Sequence, residues 1–303
     1  MNLPEAILVT CATGNQGRGV VCRCLDAGYR VHAYVRDTRS PEAQQLAQLG
    51  AYLVGGDLND AETLHSAAQD VDAVFHADLW TGDWRGDVER SAKVVDAARA
   101  SLRVNYMFLS TAIKTGQHES FPGWGPDYPM RRYWLNKHAI EQRVRNAGFE
   151  RWTIVRPGHF LQNLTMPGSA ISFPGFVDDA ILRVSWWPET RLPWVDAADV
   201  GLVVAAALAD PERYDRAEVA LAVEALTIEQ LANKMSKALG TRVSVHYQSD
   251  AEVEQAVKQG SPVPASHRWA NEVPGAEAAG QLSHLSPRRV DSFLAANASQ
   301  IRP

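Results

Sequence analysis

The sequence predicts an α/β protein built on a doubly wound parallel sheet. An apolar run that begins at Ala6 leads into a glycine-bearing turn that ends at Gly17, and a helix-compatible stretch follows directly. From there to Val155, short apolar strands alternate with helical segments. This alternation is the pattern of βαβ units, whose strands pair in parallel.

The elements follow in order along the first half of the chain. After the first strand, strands are predicted at residues 29–35, 51–54, 73–76, 106–110 and 152–155. Helices are predicted at residues 18–28, 41–49, 61–69, 85–100 and from about 130 to 146. A loop rich in glycine, proline and tryptophan, residues 117–129, precedes the last of these helices.

The regular alternation stops at about His159. Helices at residues 197–209 and 227–239 and a strand at 242–247 indicate a smaller α/β part at the C-terminal side. Residues 259–280 are rich in glycine, proline, alanine and serine. They are predicted to form a long ordered loop or a mobile lid.

Bulk composition excludes several classes of function. The chain has 303 residues, of which 46% are hydrophobic and 21% charged, and its formal net charge is −5. This balance argues against a nucleic-acid binder, which should have a basic surface. The longest apolar stretch, Val200 to Ala209, has about half the length that spans a bilayer. The N-terminus lacks the basic region of a signal peptide, so we expect a cytoplasmic protein without membrane contact.

The turn after the first strand matches a dinucleotide-binding fingerprint with one departure. Gly14 and Gly17 occupy its second and third glycine positions, and Cys11 occupies the first. Such a turn directs helix N-terminal amides and the positive end of the helix dipole at a pyrophosphate. The alternative is an ordinary tight connection. A thiol beside a helix start can also have a depressed pKa, so a redox-sensitive Cys11 is a further hypothesis, whereas no metal site is expected.

The end of the second strand predicts which dinucleotide is bound. Arg36 and Asp37 lie there, nineteen residues beyond Gly17, and Arg39 follows. An acidic residue at this position accepts the ribose hydroxyls of NAD, whereas an arginine binds the additional phosphate of NADP. Because Arg36 comes first, NADP(H) is favoured. The alternative is that both arginines are solvated charges at a strand end.

A tyrosine and a lysine lie four residues apart on the predicted helix before residue 146. Tyr133 and Lys137 share one helix face, which continues through apolar Ile140 and should pack on the sheet. A nearby ammonium lowers a tyrosine pKa, so that the phenol can protonate a carbonyl oxygen, and the lysine can also hold the nicotinamide ribose. Ser110 or Thr111 would orient the substrate carbonyl. The alternative is a tyrosine packed beside a snorkelling lysine stem.

With these residues placed, the chain resembles the NmrA-like family, an atypical branch of the short-chain dehydrogenase/reductase superfamily. The resembling segments are spread over about two thirds of the chain. In order, they are residues 12–17, 35–37, 56–60, 72–75, Lys137 with Glu141, 155–163 and 193–201.

The resemblance implies a Rossmann domain with NADP(H) across the carboxyl edge of its sheet. Asp57 and Leu58 would contact adenine, and the turn through Pro157 and Gly158 would approach the nicotinamide. The full implied cofactor set is Thr13, Gly14, Asn15, Gln16, Gly17, Arg36, Asp57, Leu58, Ala77, Lys137, Pro157 and Gly158.

The chain departs from the family pattern at the first glycine, where Cys11 stands. Many family members also lack the tyrosine and serve as cofactor sensors, whereas this chain carries both Tyr133 and Lys137. The position of the catalytic hydroxyl depends on the alignment and falls on Ala112, Thr111 or Ser110.

The tryptophans indicate the kind of substrate. The chain has nine, and several lie in predicted loops or in the irregular second part. Aromatic side chains beyond strand ends line apolar pockets, which predicts a bulky, flat and largely apolar ligand, although any single tryptophan can simply fill the core. The candidate substrate residues are Trp80, Trp84, Trp124, His159, Trp186 and Trp187.

Two functions are compatible with these features. The first is an NADP(H)-dependent oxidoreductase of specialised metabolism that acts on a carbonyl, enone or imine, with coupled ring formation as a variant. In this function Tyr133 is the acid and Lys137 the cofactor anchor. The second is a non-catalytic regulator that senses NADP(H). Either has a cofactor domain at residues 1–158 and a mainly substrate-binding part at 159–303, with 192–210 returning to the first domain, in a monomer or homodimer.

Overall fold

A computed structural model describes residues 4–261, 263–273 and 275–301. Its strands are β1 (Ala6–Val9), β2 (Arg30–Val35), β3 (Tyr52–Gly55), β4 (Ala73–Ala77), β5 (Tyr106–Ser110), β6 (Arg151–Pro157), β7 (His159–Phe160), β8 (Ile181–Val184), β9 (Leu192–Val195), β10 (Ala217–Leu221), β11 (Glu224–Leu226) and β12 (Ser244–Tyr247).

The helices lie between these strands and after them. They are α1 (Asn15–Asp26), α2 (Pro41–Gln48), α3 (Ala61–Ala67), α4 (Trp84–Ala100), α5 (Arg131–Asn146), α6 (Gly168–Ser172), α7 (Phe176–Asp179), α8 (Val200–Ala209), α9 (Pro211–Tyr214), α10 (Ile228–Leu239), α11 (Asp250–Lys258), α12 (Val263–Glu272), α13 (Val290–Ala296) and α14 (Ala298–Ile301).

The main sheet confirms the predicted doubly wound fold. Its strands follow the order β3-β2-β1-β4-β5-β6-β10, and the neighbours from β3 to β6 pair in parallel. The strand order reverses between β1 and β4, which is the point where ligands bind beyond the carboxyl ends of such sheets. In β1 every residue is buried, as a central parallel strand with both faces covered requires.

The chain divides into two compact units. The first contains the described residues up to Gly116 together with Arg132–Pro157 and Ala197–Ala220, and the main sheet belongs to it. The second contains Gln117–Arg131, Gly158–Asp196 and the described residues from Leu221 onward. It has a small sheet of order β11-β9-β7 and a parallel pair formed by β12 and β8. A substrate-binding role for this second unit stays a prediction.

The prediction of a long loop or lid at residues 259–280 is wrong. Their described part contains helix α12, and a short 3-10 helix follows at Ala276–Ala278. Pro264 lies at the second position of α12, where a missing backbone N–H costs no helical hydrogen bond. His267, Trp269 and Ala270 form its buried face. The proline-rich composition therefore marks the start of a helix here.

Helix α1 packs closely against the segment that leads into α8. A Cβ atom on Gly19 would lie 2.4 Å from the Cα of Ala198, and one on Gly201 would lie 2.3 Å from the carbonyl oxygen of Gly19. Side chains at either position would force the two backbones apart. Within the first unit, these glycines allow α1, and with it the turn at residues 11–17, to pack directly against the start of α8.

Across the described ranges, no helix combines the length and apolar character that a membrane span needs.

Candidate functional site

A cavity of about 540 Å³ lies in the first unit, beyond the carboxyl ends of β1, β2 and β3. Its position is the one expected for a nucleotide in this sheet topology. It is lined by Cys11, Thr13, Gly14, Tyr34, Val35, Arg36, Gly56, Asp57, Leu58, Asn59, Leu79, Thr81, Asp83 and Arg90. Of the predicted cofactor residues, Thr13, Gly14, Arg36, Asp57 and Leu58 are therefore brought together around one space.

The glycine turn has the backbone geometry that a pyrophosphate requires. Gly14 caps the N-terminus of α1, and no acidic side chain lies in the first helical turn. A Cβ atom on Gly17 would lie 2.2 Å from the carbonyl oxygen of Cys11, so only glycine permits this approach of helix and strand. Thr13, Gly14 and Asn15 are exposed. The amides at the helix start thus remain accessible to an anion.

Cys11 adopts a conformation that normally belongs to glycine. Its φ angle is +52°, and its carbonyl oxygen accepts a hydrogen bond from the Gly14 amide at 3.0 Å. Burial raises the pKa of the Cys11 thiol to about 11, so the suggested depression of this pKa is wrong. The loss of hydration outweighs the hydrogen bond with Thr10 and the charge of Arg36, which both lower this pKa. A redox role that depends on a thiolate is not supported.

We expect Cys11→Gly to raise the free energy of unfolding by about 0.5–1 kcal/mol. Removal of Cβ relieves about 1–2 kcal/mol of left-handed strain, and the greater freedom of glycine in the unfolded chain offsets part of this gain. Urea denaturation measures the change. Cys11→Ala is the matched control, because it removes the thiol and keeps the strain, and an equal gain in both variants would contradict the explanation.

Arg36 presents its charge to the cavity at the end of β2. Its side chain is exposed and lines the cavity, as NADP recognition requires. Asp37 instead accepts a hydrogen bond from the Arg39 amide at 2.9 Å, and the Arg39 side chain pairs with it at the surface. The pKa of Asp57 is lowered chiefly because the Asn59 amide donates to its carboxylate.

Lys137 is buried and paired with Asp78, which follows β4 directly. Its Nζ lies 2.9 Å from Oδ2 of Asp78 and donates to the Asp78 carbonyl oxygen at 2.8 Å. Only 3% of Lys137 and 8% of Asp78 is exposed, so each charge depends on the other for compensation. Sequence spacing gave no indication that Asp78 is the lysine's partner.

Tyr133 lies beside Lys137 with its hydroxyl unengaged. The Lys137 ammonium is 5.3 Å from the centre of the phenol ring, and no hydrogen bond from any described residue reaches the hydroxyl. Burial raises the Tyr133 pKa, Lys137 opposes this shift and Asp78 adds to it. The predicted net lowering of this pKa is therefore wrong. At neutral pH the phenol keeps its proton and can donate it.

A buried chain of hydrogen bonds fixes Asp78 from behind. Ser91 donates to Oδ1 of Asp78 at 2.8 Å, so its oxygen must accept the proton of His76 Nε2 at 2.9 Å. Burial lowers the pKa of His76 to about 4, which keeps the imidazole neutral. Its Nδ1 then accepts from the Thr10 hydroxyl at 2.8 Å. This hydrogen-bond chain joins the residue after β1 to β4 and α4. Nothing in the sequence indicated it, because its members share no spacing pattern.

Both predicted orienting hydroxyls donate to protein acceptors. Ser110 donates to Oε1 of Gln16 at 2.6 Å, and Thr111 donates to Oε1 of Glu141 at 2.7 Å. Gln16 therefore lies beside the end of β5 and does not line the cavity described above. The role of either hydroxyl towards substrate stays a prediction.

Glu141 is the centre of a buried ionic cluster. Its carboxylate is fully buried and accepts two hydrogen bonds from Arg156, at 2.9 and 2.6 Å, and one from Arg145 at 2.8 Å. Glu218 pairs with both arginines. The cluster links α5 to β6 and β10 in the first unit.

The remaining implied cofactor residues lie at strand ends. Ala77 is the last residue of β4 and is buried. The carbonyl oxygen of Pro157, at the end of β6, accepts from Ile113 at 2.9 Å. A Cβ atom on Gly158 would lie 2.2 Å from the carbonyl oxygen of Pro193, so this turn also requires glycine.

Two of the candidate tryptophans contact α5 near Tyr133. Trp80 is 44% exposed and contacts the Tyr133 ring edge-on, with 5.2 Å between ring centres. The carbonyl oxygen of Trp84 accepts from Asn136 at 2.6 Å. These contacts hold an aromatic surface against the first turns of α5.

The second unit contains a separate aromatic cavity of about 80 Å³. Its lining includes His159, Trp186, Trp194 and His267. Burial lowers the pKa of His159 to about 4 and that of His267 to about 3, so both rings are neutral. In the described part of the chain, Trp186 Nε1 has no hydrogen-bond partner although it is buried. Trp187 is exposed, and Trp124 packs with Phe121 and Tyr128 and does not line this cavity.

Comparison with known proteins gives the relationship of the chain. It is 31% identical over 238 residues to NAD(P)H azoreductase of Xenophilus azovorans, which covers 78% of this chain and 75% of that protein. It is also 32% identical over 235 residues to (4-alkanoyl-5-oxo-2,5-dihydrofuran-3-yl)methyl phosphate reductase of Streptomyces griseus. That match covers 77% of this chain and 74% of the reductase.

Solved structures confirm the fold. The negative transcriptional regulator NmrA in complex with NADP superposes with a TM-score of 0.77 at 20% identity, and the superposition covers 97% of this chain and 95% of NmrA. The sequence matches the NmrA-like family from residue 4 to residue 298. The chain therefore belongs to the NmrA-like family.

Proposed function

We propose that this protein is an NADPH-dependent reductase of bulky, planar, aromatic small molecules. The observation that carries the proposal is the pairing of an unengaged, protonated Tyr133 with a buried Lys137 near a nucleotide-sized cavity in the same unit. The relatives in Xenophilus azovorans and Streptomyces griseus are both named as reductases, which supports reduction as the reaction class.

The residues of the cavity fit a nicotinamide dinucleotide. The helix start at Gly14 suits the pyrophosphate, the exposed Arg36 suits an additional ribose phosphate, and Leu58 offers an apolar contact for adenine. When bound, the reduced nicotinamide supplies a hydride. Lys137 is the cofactor anchor in this proposal.

Tyr133 serves as the general acid. Its hydroxyl has no protein partner among the described residues, and its raised pKa keeps the proton on the oxygen until a substrate atom gains negative charge. The Lys137 ammonium, 5.3 Å from the ring centre, then stabilises the phenolate that forms. The proton returns from water after the product leaves.

The aromatic side chains favour a flat substrate. Trp80 is partly exposed at the Tyr133 ring, and an indole face beside a catalytic phenol suits stacking of a planar ring. The azoreductase relative is named for the reduction of azo compounds, which are planar and aromatic. Azo dyes and quinones are therefore the first substrates to examine.

The cofactor preference is tested by titration with NADPH and NADH, followed by tryptophan fluorescence. We expect Arg36→Gln to weaken NADPH binding by about tenfold and to leave NADH binding within about twofold, because a charge-assisted hydrogen bond contributes about 1.5–3 kcal/mol. Arg39→Gln is the control, since Arg39 pairs with Asp37. Equal affinities of the wild-type protein for both cofactors would contradict the assignment.

The reductase itself is tested with Tyr133→Phe. We expect kcat for an azo dye or quinone to fall by about 100-fold, because a positioned general acid contributes about 10²- to 10⁴-fold, while NADPH affinity is unchanged. If the wild-type protein binds NADPH and turns over no such substrate, or if Tyr133→Phe leaves turnover unchanged, a cofactor-sensing regulator becomes the better explanation.

A further inference from the structure

Two guanidinium groups meet over one indole ring next to the proposed acid. The Cζ of Arg85 lies 4.7 Å from the centre of the Trp84 ring, and that of Arg132 lies 4.5 Å from it. Arg85 belongs to the first turn of α4 and Arg132 to the first turn of α5, directly before Tyr133. All of these residues belong to the first unit.

Neither guanidinium is compensated by an acidic side chain. Both arginines are exposed, and no described carboxylate forms an ion pair with either of them. Asp83 and Asp87 have other partners, since Asp83 accepts from the Gly86 amide and pairs with Arg90, and Asp87 pairs with Arg90 as well.

The position of Arg132 opposes the dipole of α5. The N-terminal end of a helix carries partial positive charge, so a cation there opposes the helix dipole. Helix α5 has no acidic residue in its first turn to balance Arg132. Each cation–π contact with Trp84 also holds a long side chain in a defined place, at an entropic cost. Two guanidinium groups without an acidic partner are therefore held on the same indole ring, where they can bind an anion.

We propose that Arg85 and Arg132 form a binding site for an anionic group of the substrate. The inference rests on the proposed function and deepens it: the substrate is a planar aromatic compound that carries a sulfonate, phosphate or carboxylate. Tyr133 follows Arg132 in sequence, and its ring contacts Trp80, so the acid and the anion site both lie at the first turn of α5. Guanidinium forks bind such oxyanions through two parallel hydrogen bonds.

A binding experiment tests the site without requiring turnover. Calorimetric titration of the NADP⁺-saturated protein uses two probes of matched shape, naphthalene-2-sulfonate and naphthalene-2-sulfonamide. We expect the sulfonate to bind about tenfold more tightly. Arg85→Gln and Arg132→Gln should each reduce this ratio by about threefold to fivefold, as exposed ion pairs contribute up to about 1 kcal/mol each, and the double variant should abolish the preference.

The control is Arg143→Gln, which removes a charge from the same helix. Arg143 pairs with Asp96 instead, so the sulfonate preference should stay at the wild-type value. The site is overturned if the wild-type protein binds both probes equally or binds neither, or if the double variant keeps the preference. It is also overturned if the double variant weakens NADP⁺ binding and not the sulfonate preference, because the arginines then belong to the cofactor site. Failure of the reductase proposal has a separate readout, which is the effect of Tyr133→Phe on turnover.

Discussion

Replacement of Glu141 by leucine is expected to lower the free energy of unfolding by about 3–5 kcal/mol. The Glu141 carboxylate is fully buried and accepts from Arg145, Arg156 and Thr111. Its removal leaves two guanidinium groups and a hydroxyl in a space from which water is largely excluded. Glu218 keeps its pairs with both arginines, but this carboxylate is one-third exposed and replaces only part of the lost interaction.

Urea denaturation of matched variants separates this effect from a general loss of charge. Asp96→Asn on α4 removes a carboxylate whose partner is Arg143, and both side chains are about half exposed. Such a surface pair contributes about 0–1 kcal/mol. Glu141→Gln keeps an acceptor for Thr111 and should fall between the two. A loss of stability in Glu141→Leu no larger than in Asp96→Asn would show that the cluster contributes nothing through its burial.

The first unit could be predicted well because its signals are local. The strand at Ala6, the glycine at position 17 and the helix that follows lie within one short stretch, and each residue has a direct structural reason there. Strand β10 was missed because Glu218 interrupts its short apolar sequence and the strand lies beyond the regular alternation that stops at about His159.

The positions of the candidate residues could be predicted where they depend on strand ends and not where they depend on distant partners. Arg36 follows β2, so its place at the carboxyl edge follows from topology alone. The chain from His76 through Ser91 to Asp78 depends on how one face of α4 meets β4. No spacing of residues in the sequence predicts this contact between α4 and β4. The predicted lowering of the Tyr133 pKa was wrong for the same reason, because the depth of burial is a property of the packed structure.

The buried pair of Asp78 and Lys137 should behave as one unit in a double-mutant cycle. Asp78→Asn or Lys137→Met alone is expected to lower the free energy of unfolding by about 3–5 kcal/mol, because each leaves an uncompensated buried charge. The double variant should recover most of this loss, with a coupling energy of up to about 3 kcal/mol. Asparagine keeps an acceptor for the Ser91 hydroxyl, so the chain to His76 is retained.

Activity and stability should separate in the double variant. Its fold is restored because no lone charge remains inside, but it has no ammonium beside Tyr133 and lacks the group proposed to anchor the cofactor. Turnover should therefore stay as low as in Lys137→Met, while the urea midpoint returns towards the wild-type value. If the two single effects simply add, the ion pair is not what compensates either charge. If turnover recovers together with stability, Lys137 has only a structural role and Tyr133 acts without it.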